Sequence, residues 1–145
     1  MKKQAYTIIA MMVFFGCMAG SAKAQCNNAP AVAKIPFPFS TGKATLPAGE
    51  YRITCLDPTG RLVLIQSNDR KARTMILMIS LNNSRRERAK LVFHRYGNRY
   101  FFVQAWDGGS TGLELPTTRA ERRVANEVAG IKPKTETIAL TVRKS

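Results

Sequence analysis

Acidic side chains are scarce in this 145-residue chain: nine aspartates and glutamates stand against 23 lysines and arginines, a formal net charge of +14. A calcium site needs six or more oxygen ligands, and Asp57, Asp69 and the acid of Asp107-Gly108-Gly109 fall in separate turn-like segments. Histidine is scarcer still. His94 stands alone, too few imidazoles for a zinc site once the mature cysteines pair, so no metal is expected. No Gly-x-Ser-x-Gly elbow, His-Glu-x-x-His helix or phosphate-binding loop occurs, so no catalytic residue is assigned and no cofactor is implied. Glu50, Asp107, Glu114 and Glu121 are the carboxylates from which a glycosidase-like pair would have to be drawn, and nothing in their spacing brings them together. Long apolar runs are also missing beyond the first two dozen residues.

That one run has a meaning of its own. Lys2 and Lys3 precede about fifteen mostly apolar residues from Ala5 to Ala19, and Ala22-Lys23-Ala24 follows. A basic start, a short apolar core and a small-x-small site make a secretory signal peptide, and a membrane-spanning helix needs about twenty residues. Cleavage is expected after Ala24, giving a periplasmic or secreted protein. Lipidation at Cys17, within Phe14-Phe15-Gly16-Cys17, is the alternative. Loss of Lys2, Lys3 and Lys23, with no acid removed, leaves a mature chain near +11 over residues 25–145. Such a charge favours polyanionic partners. Two cysteines remain, Cys26 and Cys55; an even pair in an exported domain implies a disulfide, stapling an N-terminal arm (25–33) to the strand that holds Cys55.

The mature sequence alternates with the two-residue period of strands. Ile35-Pro36-Phe37-Pro38-Phe39 predicts an edge strand with its apolar residues inward, because proline cannot donate to a ladder. Residues 50–56 predict a half-buried strand, 61–67 a buried one, and 74–81 another, with a basic loop at 82–88. The clearest element is a hairpin, Lys90–Tyr96 and Arg99–Trp106 about Gly97-Asn98. A two-residue turn there sets Tyr96 opposite Arg99, His94 opposite Phe101 and Val92 opposite Val103. Phe93, Phe102 and Trp106 then share the other face. Both faces are rich in apolar residues, so the hairpin should lie mid-sheet with both sides covered. Residues 107–115 look like a glycine-rich loop. Thr118-Arg119-Ala120-Glu121 is a capping box opening a helix of about ten residues, with Ala120, Val124, Ala125 and Val128 on one face and Gly130 at its end. Residues 138–142 predict a last strand. The expected fold is mainly β: a single antiparallel sandwich or partly open small barrel of about seven strands, with one short helix near the C-terminus.

The pattern Ile35-Pro36-Phe37-x-Phe39, Leu46-Pro47-Ala48-Gly49-x-Tyr51, Leu91-Val92-Phe93-x-Arg95-Tyr96-Gly97-x-x-Tyr100-Phe101, Trp106 and Glu114-Leu115-Pro116 resembles a family of small, functionally uncharacterised exported bacterial β-rich proteins. The resemblance covers nearly all of the mature chain. It implies a single exported domain and supplies no reaction, ligand or catalytic residue.

Candidate contacts therefore come from the residues alone. Arg85, Arg86, Arg88 and Lys90 at a loop tip, with Arg95 and Arg99 around the hairpin turn, are the expected polyanion contacts. Phe93, Tyr100, Phe102 and Trp106 would wall a pocket if the domain were a ligand- or lipid-binding barrel. The leading expectation is a non-enzymatic binding or structural module of the envelope or exterior, contacting anionic envelope polymers or another protein. Specific nucleic-acid recognition is not expected, because aromatic residues in strands are needed first for the core. A hydrolase with unrecognised carboxylates is the remaining alternative.

Overall fold

The structure is a computed structural model, and it describes residues 30–85 and 87–142. The expected signal peptide and Cys26 lie outside that range, as does Arg86. Twelve strands form two sheets that face each other, with no closed barrel among the described residues.

The first sheet holds β1 (Ala31–Ile35), β4 (Gly49–Cys55), β5 (Leu62–Ser67), β6 (Arg73–Leu77) and β12 (Thr141–Val142), in the order β12-β1-β4-β5-β6 and antiparallel throughout. The second has β11 (Lys134–Ala139), β8 (Lys90–Tyr96), β9 (Arg99–Trp106), β10 (Thr111–Glu114) and β7 (Ile79–Asn82), in the order β11-β8-β9-β10-β7. A small hairpin of β2 (Phe39–Ser40) and β3 (Thr45–Leu46) joins this sheet where β2 runs parallel to β9, the one departure from antiparallel pairing.

The chain passes between sheets at four places: at Pro36–Pro38, between β3 and β4 at Pro47–Ala48, between β6 and β7 at Met78, and between β11 and β12 at Leu140. These bends explain why more strands are present than the seven expected. Residues 74–81 form two strands, not one, because Met78, fully buried, turns the corner. The two prolines likewise split the expected 35–39 strand, although Ile35, Phe37 and Phe39 all reach the core as their alternation implied. Residues 31–33, expected in the arm, already belong to β1, and residues 111–114, expected in a loop, form β10.

Between the sheets lies a core built on Ile35, Phe39, Tyr51, Ile65, Ile76, Met78, Leu91, Phe93 and Phe102. Edge-to-face ring contacts link Phe93 to Phe37, Phe39 and Phe102 at centroid distances of 5.2, 5.4 and 5.6 Å, the geometry that aromatic quadrupoles favour. The Leu46-Pro47-Ala48-Gly49-x-Tyr51 segment is held as a corner: the Tyr51 hydroxyl donates to the Pro47 carbonyl at 2.5 Å.

The helix, α1 (Arg119–Glu127), starts at Thr118, whose hydroxyl accepts the Glu121 amide at 3.2 Å. It lies on the outer face of the second sheet, where Val124 with Ala120, Ala125 and Val128 packs on Tyr96 and Phe101. Arg119, Arg122 and Arg123 face water. Its start is seated on the β2–β3 turn. A Cβ on Gly42, itself at φ +85°, would fall 2.3 Å from the Thr118 methyl, so glycine is what lets the helix cap approach.

Candidate functional site

The hairpin register begins as the Gly97-Asn98 turn dictates, with Tyr96 opposite Arg99 and His94 opposite Phe101. It then departs from expectation. A bulge lies between Val92 and Phe93, so Val92 meets Gln104 instead of Val103. An extra residue on β9 reverses which face the following side chains occupy. Trp106 therefore leaves the Phe93–Phe102 face and joins Val92, Val103 and Leu81 on the opposite side. The hairpin is mid-sheet and covered on both sides, as its two apolar faces require.

This shift separates the four expected pocket-wall residues. Phe93 and Phe102 are buried in the intersheet core, and Tyr100 is stacked on Phe37 at 3.8 Å. Trp106 belongs to the other cluster, with its indole N–H donating to Gln104 at 3.2 Å.

At the turn end of the hairpin the structure assembles a polar cluster that sequence spacing alone does not reveal. His94 and Tyr96 stand two apart on one face of β8, and α1 lays Glu121 over them. His94 Nδ1 lies 2.7 Å from Glu121 Oε1, and the Tyr96 hydroxyl donates to the same oxygen at 3.3 Å. Glu121 is 3% exposed. Its side chain makes these tertiary contacts, while the capping box contributes its forward bond from the Glu121 amide to Thr118. Burial, then the neighbouring Glu121 charge and its hydrogen bond, raise the Tyr96 pKa above the ordinary phenol value. A carboxylate on Nδ1 orients an imidazole as in hydrolytic triads. Among the described residues, however, no serine, threonine or cysteine is hydrogen-bonded to His94, and no group of three potential metal ligands forms.

The expected polyanion contacts occupy two ends of β8. Arg85 and Arg88 are exposed in the loop before it, while Lys90 pairs with Glu87 at 2.7 Å. At the far end, about 20 Å along the strand, Arg95 donates to the Gly97 carbonyl and to Glu136 and covers the Tyr100 ring. Arg99 pairs with Glu127 at 2.8 Å on the helix. Lys90, Arg95 and Arg99 thus already have acidic partners.

A second basic surface lies on the outer face of the first sheet. Residues 61–67, expected to be buried, have Val63 and Ile65 inward and Leu62 and Leu64 outward and only partly buried. Across from them on β6 are Leu77 and Met75, 64% and 54% exposed. The next row across the sheet reads Val32, Arg52, Gln66, Arg73. A shallow depression beside it is lined by Val32, Glu50, Tyr51, Arg52 and Asn68. Of the acids near this end, Glu50 stands exposed on β4 two residues from Arg52, while Asp57 and Asp69 are engaged in their own turns. Asp57 accepts from Thr59 and from the Leu62 amide, and Asp69 from Ser67 and the Lys71 amide. Those bonds hold both carboxyls below the usual aspartate pKa.

No family model, curated protein or solved structure matches this chain. Among the described residues no helix is long and apolar enough to cross a membrane.

Proposed function

We propose that the protein is an exported, non-enzymatic β-domain that binds anionic polymers and surfaces of the cell envelope through its excess of exposed cations. The observation that carries this reading is how the charges are distributed. Asp57 and Asp69 are taken up by turn hydrogen bonds, and Glu87, Glu121, Glu127 and Glu136 by side-chain pairs. Arg52, Arg73, Arg85, Arg88, Arg122 and Arg123 are exposed, with no acidic partner among the described residues. Cations presented in this way interact with polyanions over a screening distance of about 10 Å at 0.1 M salt. Chromatography on immobilised heparin tests the reading. Retention at low ionic strength that collapses by about 0.5 M salt is expected; passage without retention, or retention indifferent to salt, would overturn it.

A further inference from the structure

The outer face of the first sheet carries more than charge. Pairing sets Leu64 opposite Met75 and Leu62 opposite Leu77. Leu56, 46% exposed, adjoins them, its backbone N–H donating to the Leu62 carbonyl, and Ile79, 48% exposed, follows just past the bend at Met78 at the start of β7. The result is an apolar surface two strands deep and about 7 Å long on β6. Every member except the two β5 leucines is exposed by nearly half or more. Immediately beside it on the same face stand Arg52 and Arg73. Arg70 and Lys71 occupy the adjoining β5–β6 turn, and Arg61 the start of β5.

We infer that this face docks on an anionic lipid bilayer, with Met75 and Leu77 entering the interfacial region and Arg52 and Arg73 engaging headgroup phosphates. The inference rests on the envelope-binding reading above and specifies its partner. Charge complementarity selects the occupant. A second copy would bring the same arginines and the same net positive charge against this face, and like charges across an interface oppose association. An anionic polysaccharide answers the arginines but gives the leucines and Met75 nothing to bury against. A bilayer of anionic lipid answers both halves, since apolar burial and attraction to headgroups combine at such interfaces. The β6 edge, five residues long and beginning with Arg73, is a poor template for added strands.

The test uses the full chain, expressed with its leader in an exporting bacterial host and purified as processed. Co-sedimentation is measured with phosphatidylglycerol–phosphatidylcholine vesicles and with phosphatidylcholine vesicles alone, alongside heparin retention. Wild type should sediment with the anionic vesicles and not the neutral ones. Met75→Asp with Leu77→Asp should weaken vesicle binding about tenfold or more while retention on heparin persists. Arg52→Glu with Arg73→Glu should weaken vesicle binding too, whereas Arg85→Glu with Arg88→Glu should spare it. All these positions are exposed, and Trp106 fluorescence verifies folding. Heparin retention without vesicle binding would overturn the bilayer inference and leave the polyanion reading standing; loss of both in wild type would overturn both. Vesicle binding untouched by the Met75 and Leu77 changes would remove this face. A dimer in sedimentation velocity, abolished by those same changes, would assign the face to a second copy and overturn the inference.

Discussion

At Glu121 a carboxylate sits nearly out of reach of water, with an imidazole nitrogen and a phenol hydroxyl converging on one oxygen. Buried polar groups are stable only when such partners are present, and hydrogen bonds to charged groups are among the stronger ones. Glu121→Ala removes the acceptor from both partners at once and should destabilise the fold by about 2 kcal/mol. Tyr96→Phe should have a smaller effect. Urea denaturation measures both, and an unchanged midpoint for Glu121→Ala would refute the clamp. Tyrosine titration probes the same region. Burial, and then the charge of Asp69, raises the Tyr51 pKa, as burial and Glu121 raise that of Tyr96. A phenol whose folded pKa is raised contributes stability that is fully present below its unfolded pKa of about 10. That contribution is lost as pH rises through the folded value. Spectrophotometric titration of the native protein should therefore show late-ionising tyrosines, and stability should fall on the alkaline side. Tyr96→Phe should make that fall less steep; an unaltered slope would exclude Tyr96 as a contributor.

Among the elements, β10 shows what a backbone without a side chain permits. A Cβ on Gly112 would lie 2.6 Å from the Trp106 ring, and β10 is held on both edges, by β9 and β7. Gly112→Ala should cost about 1–3 kcal/mol as an overpacked site and shift Trp106 emission; an unperturbed emission maximum and midpoint would count against this packing. The same residues explain what was legible beforehand. Alternation revealed most of the strands, and Gly97-Asn98 fixed the hairpin near its turn. Nothing in Val92, Phe93 or Val103 announces a bulge, because each is an ordinary strand residue. The sheet switches were equally silent: Thr74, Ile76 and Met78 point inward in unbroken alternation, since a corner residue faces the core from either sheet. Glycines made 107–115 look like a loop, whereas Gly112 is there to admit an indole. The Glu121 cluster was half legible. The hairpin register put His94 and Tyr96 on one face, and the capping box fixed the helix start, but which face the helix covers depends on tertiary packing. The outward-facing leucines of β5 were not legible, because an apolar run alone does not tell a strand covered on one side from one covered on both.

On the scale of the whole molecule, the two sheets are one covalent and packed unit, since the chain crosses between them at residues 36–38, at residues 47–48, at Met78 and at Leu140 and fills the space between with a single core. The disulfide we propose between Cys26 and Cys55 fits this plan. β1 runs antiparallel to β4 with Ala31 opposite Ile53, so the chain enters β1 from the end of β4 that carries Cys55. Closing a loop of about thirty residues restricts the unfolded chain by about 3–4 kcal/mol in the entropic account. The link would lie in the first sheet, whereas the single tryptophan, Trp106, reports from the outer face of the second. If the sheets unfold together, reduction should lower the urea midpoint of Trp106 fluorescence and of far-ultraviolet circular dichroism by the same amount, with each probe showing one transition. Thiol titration of the unreduced native and denatured protein should find neither sulfhydryl free. Coincident midpoints unmoved by reduction would eliminate the disulfide as a stabiliser. Midpoints that separate on reduction, with circular dichroism falling first, would mean that the first sheet can melt while the second stays folded, and the single cooperative core would have to be given up.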